Sequence, residues 1–241
     1  VYFIWSSTSA SCRATLSESA RTDTVSPVQC VRDLGIHVDS DLSMRTHVQR
    51  TVSSCFAVLR QLRSIRRSVS KPVMTSLVVS LVLTRLDYGS ATLAGLPSIL
   101  LNRLQSVLNA AARLVHRARR NDHITPILRD LHWLRVPERI AFRLAVLVYR
   151  CQHGIGPSYL AAELHRVADV ESRRRLRSAS TTALVVPHTA HPTIGDRAFP
   201  VAAARVWNTL PSFVTSSPSL ATFRHRLKTE LFSRSFGSLD N

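Results

Sequence analysis

The stretch DLSMRTHVQRTVSSCFAVLRQLRSIRRSV, residues 41–69, decides the fold more than any other part of the chain. Its apolar residues recur at steps of three and four, which is the spacing of one face of an α-helix. The stripe consists of Met44, Val48, Val52, Cys55, Leu59, Leu62, Ile65 and Val69. The sequence therefore predicts one long amphipathic helix here, with Ser43 or Asp41 as its N-terminal cap.

The other side of this helix is strongly basic. The arginines that lie largely off the apolar stripe are Arg45, Arg50, Arg60, Arg63, Arg66 and Arg67. A charged helix face is usually a solvated one. No Asp or Glu occurs between Asp41 and Asp87, so these arginines have no acidic partner nearby in the sequence. That shortage of local partners favours an external anion.

The whole chain has the same imbalance of charge. Its 241 residues include 32 basic and 15 acidic side chains, a formal net charge of +17, and only Lys71 and Lys228 are lysines. GC-rich codon usage would explain the preference for arginine over lysine, but it would not explain the shortage of acids. Arginine stays charged at any biological pH, and its planar fork fits a phosphate group. The composition therefore predicts contact with nucleic acid.

The remaining sequence predicts a mainly α fold, a helical bundle with a small N-terminal β element. Only 7 glycines and 6% aromatic residues argue against a β-rich protein, and 45% hydrophobic residues suffice for a core. Strands are expected at Val1 to Trp5 and on both sides of Asp33-Leu34-Gly35. Further helices are expected from Lys71-Pro72, Pro97 and Pro137, and the first of these is apolar on nearly all sides, which predicts burial.

The expected organisation has three parts. Residues 1–40 form the β part, 41–120 a helical bundle, and 121–241 a C-terminal helical region. Further arginines follow the third helix, and another cluster lies in a stretch predicted to be an exposed loop. The candidate nucleic-acid-binding residues are Arg60, Arg63, Arg66, Arg67, Arg117, Arg119, Arg120, Arg173, Arg174 and Arg175.

Several kinds of chemistry have no support in the sequence. The chain contains no GxSxG, HExxH or glycine-rich phosphate loop. Asp39 and Asp41 share a loop, but turn and helix-capping roles are favoured over a metal site. His132 beside Trp133 is expected to be a packed, hydrogen-bonded pair rather than a base. The sequence therefore nominates no catalytic residue and no metal ligand.

The cysteines and the apolar runs bear on where the protein resides. Cys12, Cys30, Cys55 and Cys151 are far apart, which predicts free thiols in a reducing compartment. The longest apolar run, 77–83, is too short to span a bilayer. The expected location is intracellular, in the nucleus or the cytoplasm, without a membrane partner.

A series of short motifs follows one order along the chain. The motifs are Val31–Asp39 (VRDLGIHVD), Leu42–Met44, His47–Val48, Arg85–Tyr88 (RLDY), Ala94–Pro97 (AGLP), Leu104–Arg113 (LQSVLNAAAR), His123–Pro126 (HITP), Leu131–Pro137 (LHWLRVP), Arg139–Ile140, Gly154–Leu160 (GIGPSYL), Gly195–Phe199 (GDRAF), Trp207–Pro211 (WNTLP) and Phe223–Lys228 (FRHRLK). In this order they resemble LINE-type (non-LTR, jockey-like) retrotransposon reverse transcriptases, and the resemblance covers roughly residues 31–232.

The resemblance implies the end of the palm, the thumb and the following helical region of an RNA-directed DNA polymerase. Leu34 and Gly35 would form the turn that supports the primer end, and the helix from Ser43 would be the thumb. The implied partners are an RNA template, an RNA–DNA duplex, and the upstream palm and fingers of the same polyprotein. The chain, which starts at Val1, is expected to be a fragment of such a protein.

The implied chemistry lies elsewhere in such an enzyme. Complete polymerases of this family use Mg²⁺ held by aspartates, usually including an Asp-Asp turn in the palm. This chain has no Asp-Asp pair, so catalytic residues and Mg²⁺ are not expected within it. Two alternatives remain open: a non-catalytic basic helical interaction domain, and a decayed inactive copy. Departures from the family pattern at Gly89-Ser90 and Arg135-Val136-Pro137 favour a diverged copy.

Overall fold

A computed structural model of the protein describes residues 27–169 and 182–237. The strand expected at Val1 to Trp5 and the arginines Arg173, Arg174 and Arg175 lie outside the described residues. Within them the fold is mainly α with one small sheet, as the sequence predicts. The two strands, β1 (Cys30–Asp33) and β2 (Ile36–Asp39), pair antiparallel around Leu34-Gly35, with Cys30 opposite Asp39 and Asp33 opposite Ile36.

The long amphipathic helix is confirmed as α1 (Arg45–Ile65). Its stripe is buried at Val48, Cys55, Leu59 and Leu62, whereas Ile65, at the end of the helix, is exposed. The predicted capping by Ser43 or Asp41 is wrong. Met44 occupies the cap position in a left-handed conformation with a φ of 60°, and its side chain makes no capping hydrogen bond.

Asp39 takes over the capping role. One of its carboxylate oxygens accepts hydrogen bonds from the Thr46 backbone N–H at 3.1 Å and from the Ser43 hydroxyl at 3.2 Å. Asp41 accepts from the Ser43 backbone N–H at 2.9 Å, within the turn. The expectation of turn and capping roles for these two aspartates is therefore confirmed, with the cap assigned to Asp39.

The second helical segment begins as expected at Lys71-Pro72 but is not uniform. It consists of α2 (Lys71–Val78), one π-helical turn at Val79–Leu83, and α3 (Thr84–Asp87). The predicted burial holds for one side only. Val78 and Val82 are fully buried, whereas Val73 and Leu81 are 48% and 40% exposed. The segment is apolar on nearly all sides, but only one side of it packs against the rest of the protein.

Two longer helices, with a short one between them, follow in the chain. Helix α4 (Ser98–His116) packs against α1, and α5 (Ile124–Asp130) packs against α4. Helix α6 (Val136–Gln152) has Pro137 in its first turn and is followed by Gly154 at a φ of 69°.

His132 and Trp133 were expected to pack together in the core, but only Trp133 is buried. His132 is exposed at a φ of 52°, so the core position predicted for His132 is wrong.

The C-terminal region consists mostly of short helices. They are α7 (Ser158–Ala162), α8 (Pro192–Gly195), α9 (Phe199–Asn208) and α10 (Ser212–Thr215), and the longer α11 (Leu220–Phe236) ends the described chain. An isolated antiparallel bridge joins Arg166 to Leu184.

Helix α6 contributes to two hydrophobic clusters. Ile140 and Leu144 belong to the first cluster, with α1, α2 and α4. Tyr149 belongs to the second, where its ring stacks on Phe223 at 4.4 Å and its hydroxyl donates to the Ser217 carbonyl at 2.9 Å. Since one helix is buried in both clusters, residues on either side of position 120 share a core.

Over residues 27–169 and 182–237 no helix is both long and apolar enough to cross a bilayer. The same ranges contain no group of three or more His, Cys, Asp or Glu side chains placed to hold a metal ion.

Candidate nucleic-acid interface

A basic groove lies between the C-terminal halves of α1 and α4. Arg60 and Arg63 are three residues apart on α1 and share a helix face, whereas Arg66 and Arg67 lie in the turn that follows the end of the helix at Ile65. The groove has a volume of about 620 Å³. Its arginines are Arg60, Arg63, Arg66, Arg113, Arg117, Arg119 and Arg120. The predicted arginines of α1 and α4 are therefore gathered along one cleft.

A second hollow extends this surface around the end of α1. It has a volume of about 530 Å³ and is lined by Arg63, Ser64, Arg66, Arg67 and Arg117. Three of these arginines also line the groove, so the two hollows are continuous in their lining residues. We call the combined surface the α1/α4 groove.

The left-handed conformation of Arg117 holds the two helix ends together. Its φ of 55° ends α4, and the Ala118 N–H returns to the Arg113 carbonyl at 3.0 Å. The Arg117 guanidinium then donates to the Arg66 carbonyl at 3.3 Å. Capping of a helix C-terminus by an arginine is a common structural role and accounts for this residue alone.

Asp122, in the loop after α4, forms no ion pair with the arginines of the groove. Its carboxylate accepts the Arg119 backbone N–H at 2.6 Å, and its carbonyl accepts from the Arg113 guanidinium at 3.2 Å. Among the described residues, no guanidinium group of the α1/α4 groove has a carboxylate oxygen within 4.0 Å, and all the ion pairs are made by other basic side chains. Their charge is thus left for solvent or for a bound anion.

The floor of the α1/α4 groove is apolar. It is formed by Phe56 and Leu59 from α1 and by Ala110 and Leu114 from α4. Arg113 lies half-buried at this floor, and its Nε is buried without a hydrogen-bond partner. Sequence reasoning placed Arg113 at the end of the helix but did not select it as a binding residue. The positive charge of Arg113 would attract an anion held at the rim of the groove.

The predicted turn at Leu34 and Gly35 lies apart from this groove. Leu34 is 78% exposed at a φ of 45°, and Gly35 follows at a φ of 85°. Their hairpin packs on the N-terminal half of α1, where the His37 backbone N–H donates to His47 Nδ1 at 3.4 Å. Arg63 lies thirteen positions after Arg50 on α1, which is about 20 Å along the helix axis. One rigid helix therefore connects the two predicted contact regions.

No family model, no curated protein and no solved structure matches this chain.

Proposed function

We propose that the α1/α4 groove binds the phosphate backbones of an RNA–DNA duplex. The protein would then be the thumb and C-terminal region of a retrotransposon reverse transcriptase of the LINE type. The observation that carries this proposal is the gathering of the predicted arginines in one cleft without carboxylate partners. The kind of enzyme is proposed from the resemblance of the sequence motifs to LINE-type reverse transcriptases.

The geometry suits a grip on phosphates rather than the reading of bases. Flexible guanidinium groups stand along the rim of the groove, and each can form a bidentate pair with a phosphate. Contacts to phosphate and sugar hold a duplex in register without regard to its sequence. A polymerase needs such a grip because its template changes at every step.

The sequence lacks the Asp-Asp pair with which polymerases of this kind usually hold Mg²⁺. The role proposed for this chain is therefore binding and positioning, with the metal ions and the chemical step supplied by palm and fingers encoded upstream.

A salt titration tests the phosphate grip directly. If six to ten arginines contact phosphates, affinity for an RNA–DNA duplex should fall by about 10³–10⁵-fold between roughly 50 and 200 mM salt. Fluorescence anisotropy with a labelled duplex measures this slope. A flat dependence on salt would reject the proposal.

A charge reversal tests the location of the grip. Arg63→Glu combined with Arg67→Glu should abolish duplex binding at moderate salt while the melting temperature stays unchanged, since both side chains are exposed. The matched control is Arg103→Glu with Arg224→Glu, because both arginines are exposed and line neither hollow of the groove. Equal losses in both variants would indicate a diffuse charge effect. No loss in either would favour a non-catalytic interaction domain or a decayed copy.

A further inference from the structure

A second basic cavity lies where the β-hairpin meets α1 and α3. Its volume is about 440 Å³. The charged and aromatic residues that line it are Arg32, His37, His47, Arg50, Arg85 and Tyr88. None of them lines the α1/α4 groove, and no carboxylate is among the lining residues. We call it the hairpin pocket.

Four separate elements bring these side chains together. Arg32 on β1 is the cross-strand partner of His37 on β2, so both project from the same face of the hairpin. His47 and Arg50 are three residues apart on α1 and share a helix face. Arg85 comes from α3, and its guanidinium donates to the Ser54 hydroxyl at 2.7 Å. The convergence is a product of the tertiary fold.

The acids near the hairpin pocket are already engaged or face elsewhere. Asp39 accepts hydrogen bonds from Thr46 and Ser43, as described above. Asp33 is adjacent to Arg32 on β1, and successive residues of a strand point to opposite faces. Three arginines therefore face one another and two histidines without a carboxylate between them.

Burial, and after it neighbouring positive charge, lowers the pKa of both histidines in the pocket. Partial burial, together with Arg50 and Arg32, lowers the pKa of His37, while Asp39 acts in the opposite direction. Burial and the neighbouring His37 lower the pKa of His47, again against Asp39. The hydrogen bond from the His37 N–H makes Nδ1 of His47 an acceptor, which places its neutral-state proton on Nε2. An anion in the pocket would act in the same direction as Asp39 and raise both pKa values.

Tyr88 adds an aromatic surface to the pocket. Its side chain is 55% exposed although its hydroxyl is hydrogen-bonded to the Leu34 carbonyl. The bond fixes the ring and leaves part of it accessible. An exposed aromatic ring beside clustered arginines is the combination with which proteins hold one nucleotide, the base stacked and the phosphate paired.

We propose that the hairpin pocket binds one phosphate group of a nucleic-acid strand, with the adjoining base on Tyr88. The ligand is a phosphate ester, either an internal phosphodiester or a terminal phosphomonoester. The choice of nucleic acid rests on the proposed function, but the pocket itself is separate from the α1/α4 groove.

The test uses the full chain and three probes at low salt. They are a short single-stranded DNA with a 5′-phosphate, the same strand with a 5′-hydroxyl, and inorganic phosphate. NMR follows the ring signals of His37 and His47 through a pH titration. Bound phosphate should raise the pKa of His37 by about one unit, since an opposite charge at this range shifts a pKa by that amount or more.

The variants separate this pocket from the groove. Arg50→Gln with Arg85→Gln should remove the His37 shift and weaken oligonucleotide binding about tenfold, whereas Arg103→Gln with Arg224→Gln should do neither. Arg63→Glu with Arg67→Glu, which tests the α1/α4 groove, should leave the His37 shift in place. The two proposals can therefore fail independently. A circular dichroism melt confirms that each variant is folded.

Each outcome decides the matter. Equal shifts with both strands indicate an internal phosphodiester, and a shift with the phosphorylated strand alone indicates a terminal phosphate. No shift at saturating concentrations of either strand would overturn the proposal. So would inorganic phosphate binding as tightly as the strands, because the pocket would then be a simple anion site to which Tyr88 adds nothing.

Discussion

The phenolic hydroxyl of Tyr88 donates a hydrogen bond to the carbonyl of Leu34, although 54 residues separate them. The bond joins the end of α3 to the tip of the β-hairpin. Leu34 and Gly35 both have positive φ angles, as in the two-residue turns that suit the twist of a hairpin. The ring of Tyr88 lies over Gly35, where an added Cβ would come within 3.2 Å of its Cε1. Tyr88 thus orients the turn that borders the hairpin pocket.

Gly35→Ala should destabilise the protein because it adds both backbone strain and a close contact. We expect the free energy of unfolding to fall by about 1–2 kcal/mol in a urea titration. Gly154→Ala is the matched control, since Gly154 has a φ of 69° but nothing within 4 Å of the added Cβ. Its smaller loss would measure the strain alone. Equal losses in the two variants would show that Tyr88 moves aside at no cost.

Asp39 should stabilise α1 more than Ser43 or Asp41, the two residues that the sequence predicted as caps. Asp39→Ala removes the acceptor for the Thr46 N–H and should cost about 1–2 kcal/mol in the same assay. Ser43→Ala should cost less, since the Ser43 hydroxyl donates to Asp39 and makes no capping bond to the helix. A larger loss for Ser43→Ala than for Asp39→Ala would restore the original prediction.

The capping error shows where sequence patterns stop being informative. The stripe of α1 was predictable because the contacts that define a helix face are local. The cap was not, since Met44 turns into the left-handed region and an acceptor seven residues away reaches Thr46. In the same way, a run of apolar residues predicted the second helix but could not tell which side would be covered. Val73 remained exposed there while Val78 is buried.

The candidate site was predictable in part for the same reason. Helical spacing placed Arg60 and Arg63 on one side of α1 without any knowledge of the fold, whereas Arg67 lies in the turn after the helix ends at Ile65. The joining of α1 to α4 through Arg117 and the Arg66 carbonyl spans 51 residues, and no local pattern encodes it. The hairpin pocket was not foreseen because its six residues come from four elements, each unremarkable by itself.

A partly buried ion pair between α3 and α6 should contribute to stability. Arg139 donates from both its Nε and Nη2 to the Asp87 carboxylate, the first bond at 2.8 Å, and the two side chains are only 18% and 17% exposed. Arg139→Met should cost about 1–3 kcal/mol, because Asp87 would keep its partly buried charge without its main partner. Arg143→Met is the control: Arg143 is 56% exposed and lies 3.7 Å from Asp87, so its loss should be much smaller. Similar losses would mean that Asp87 repacks towards Arg143.

Acid should weaken the fold well above the range in which carboxylates titrate. Burial is the first cause that lowers the pKa of His37, His47 and His116 below the ordinary 6.5. The unfolded chain therefore binds protons more readily, and stability should fall as the pH drops below 6.5 towards the folded pKa values. His47→Asn keeps an acceptor for the His37 N–H but removes one titrating group. Melting curves between pH 7 and pH 5 should show a shallower decline for this variant.

The control for the pH effect is a histidine on the surface of α11. His225→Asn changes an exposed side chain and should leave the slope of melting temperature against pH unchanged. If His47→Asn and His225→Asn gave the same slope as the unmodified protein, burial of His47 would contribute nothing to the acid response.

Cys55 should be almost inert until the protein unfolds. Burial raises the pKa of its thiol to about 11, despite the opposing charge of Arg85. Its Sγ lies 3.9 Å from the Val82 carbonyl in the π-helical turn, so the thiol reports whether α1 is packed against that turn. At pH 8 only about one thiol in a thousand would be ionised, and the thiolate is the reactive form.

Peptide mapping after brief iodoacetamide treatment should therefore show Cys30, which is partly exposed, modified well before Cys55. In urea the two should react at similar rates. Rapid labelling of Cys55 without denaturant would show that α1 separates from the π-helical turn in the native protein, and the rigid link between the hairpin pocket and the α1/α4 groove would then be lost.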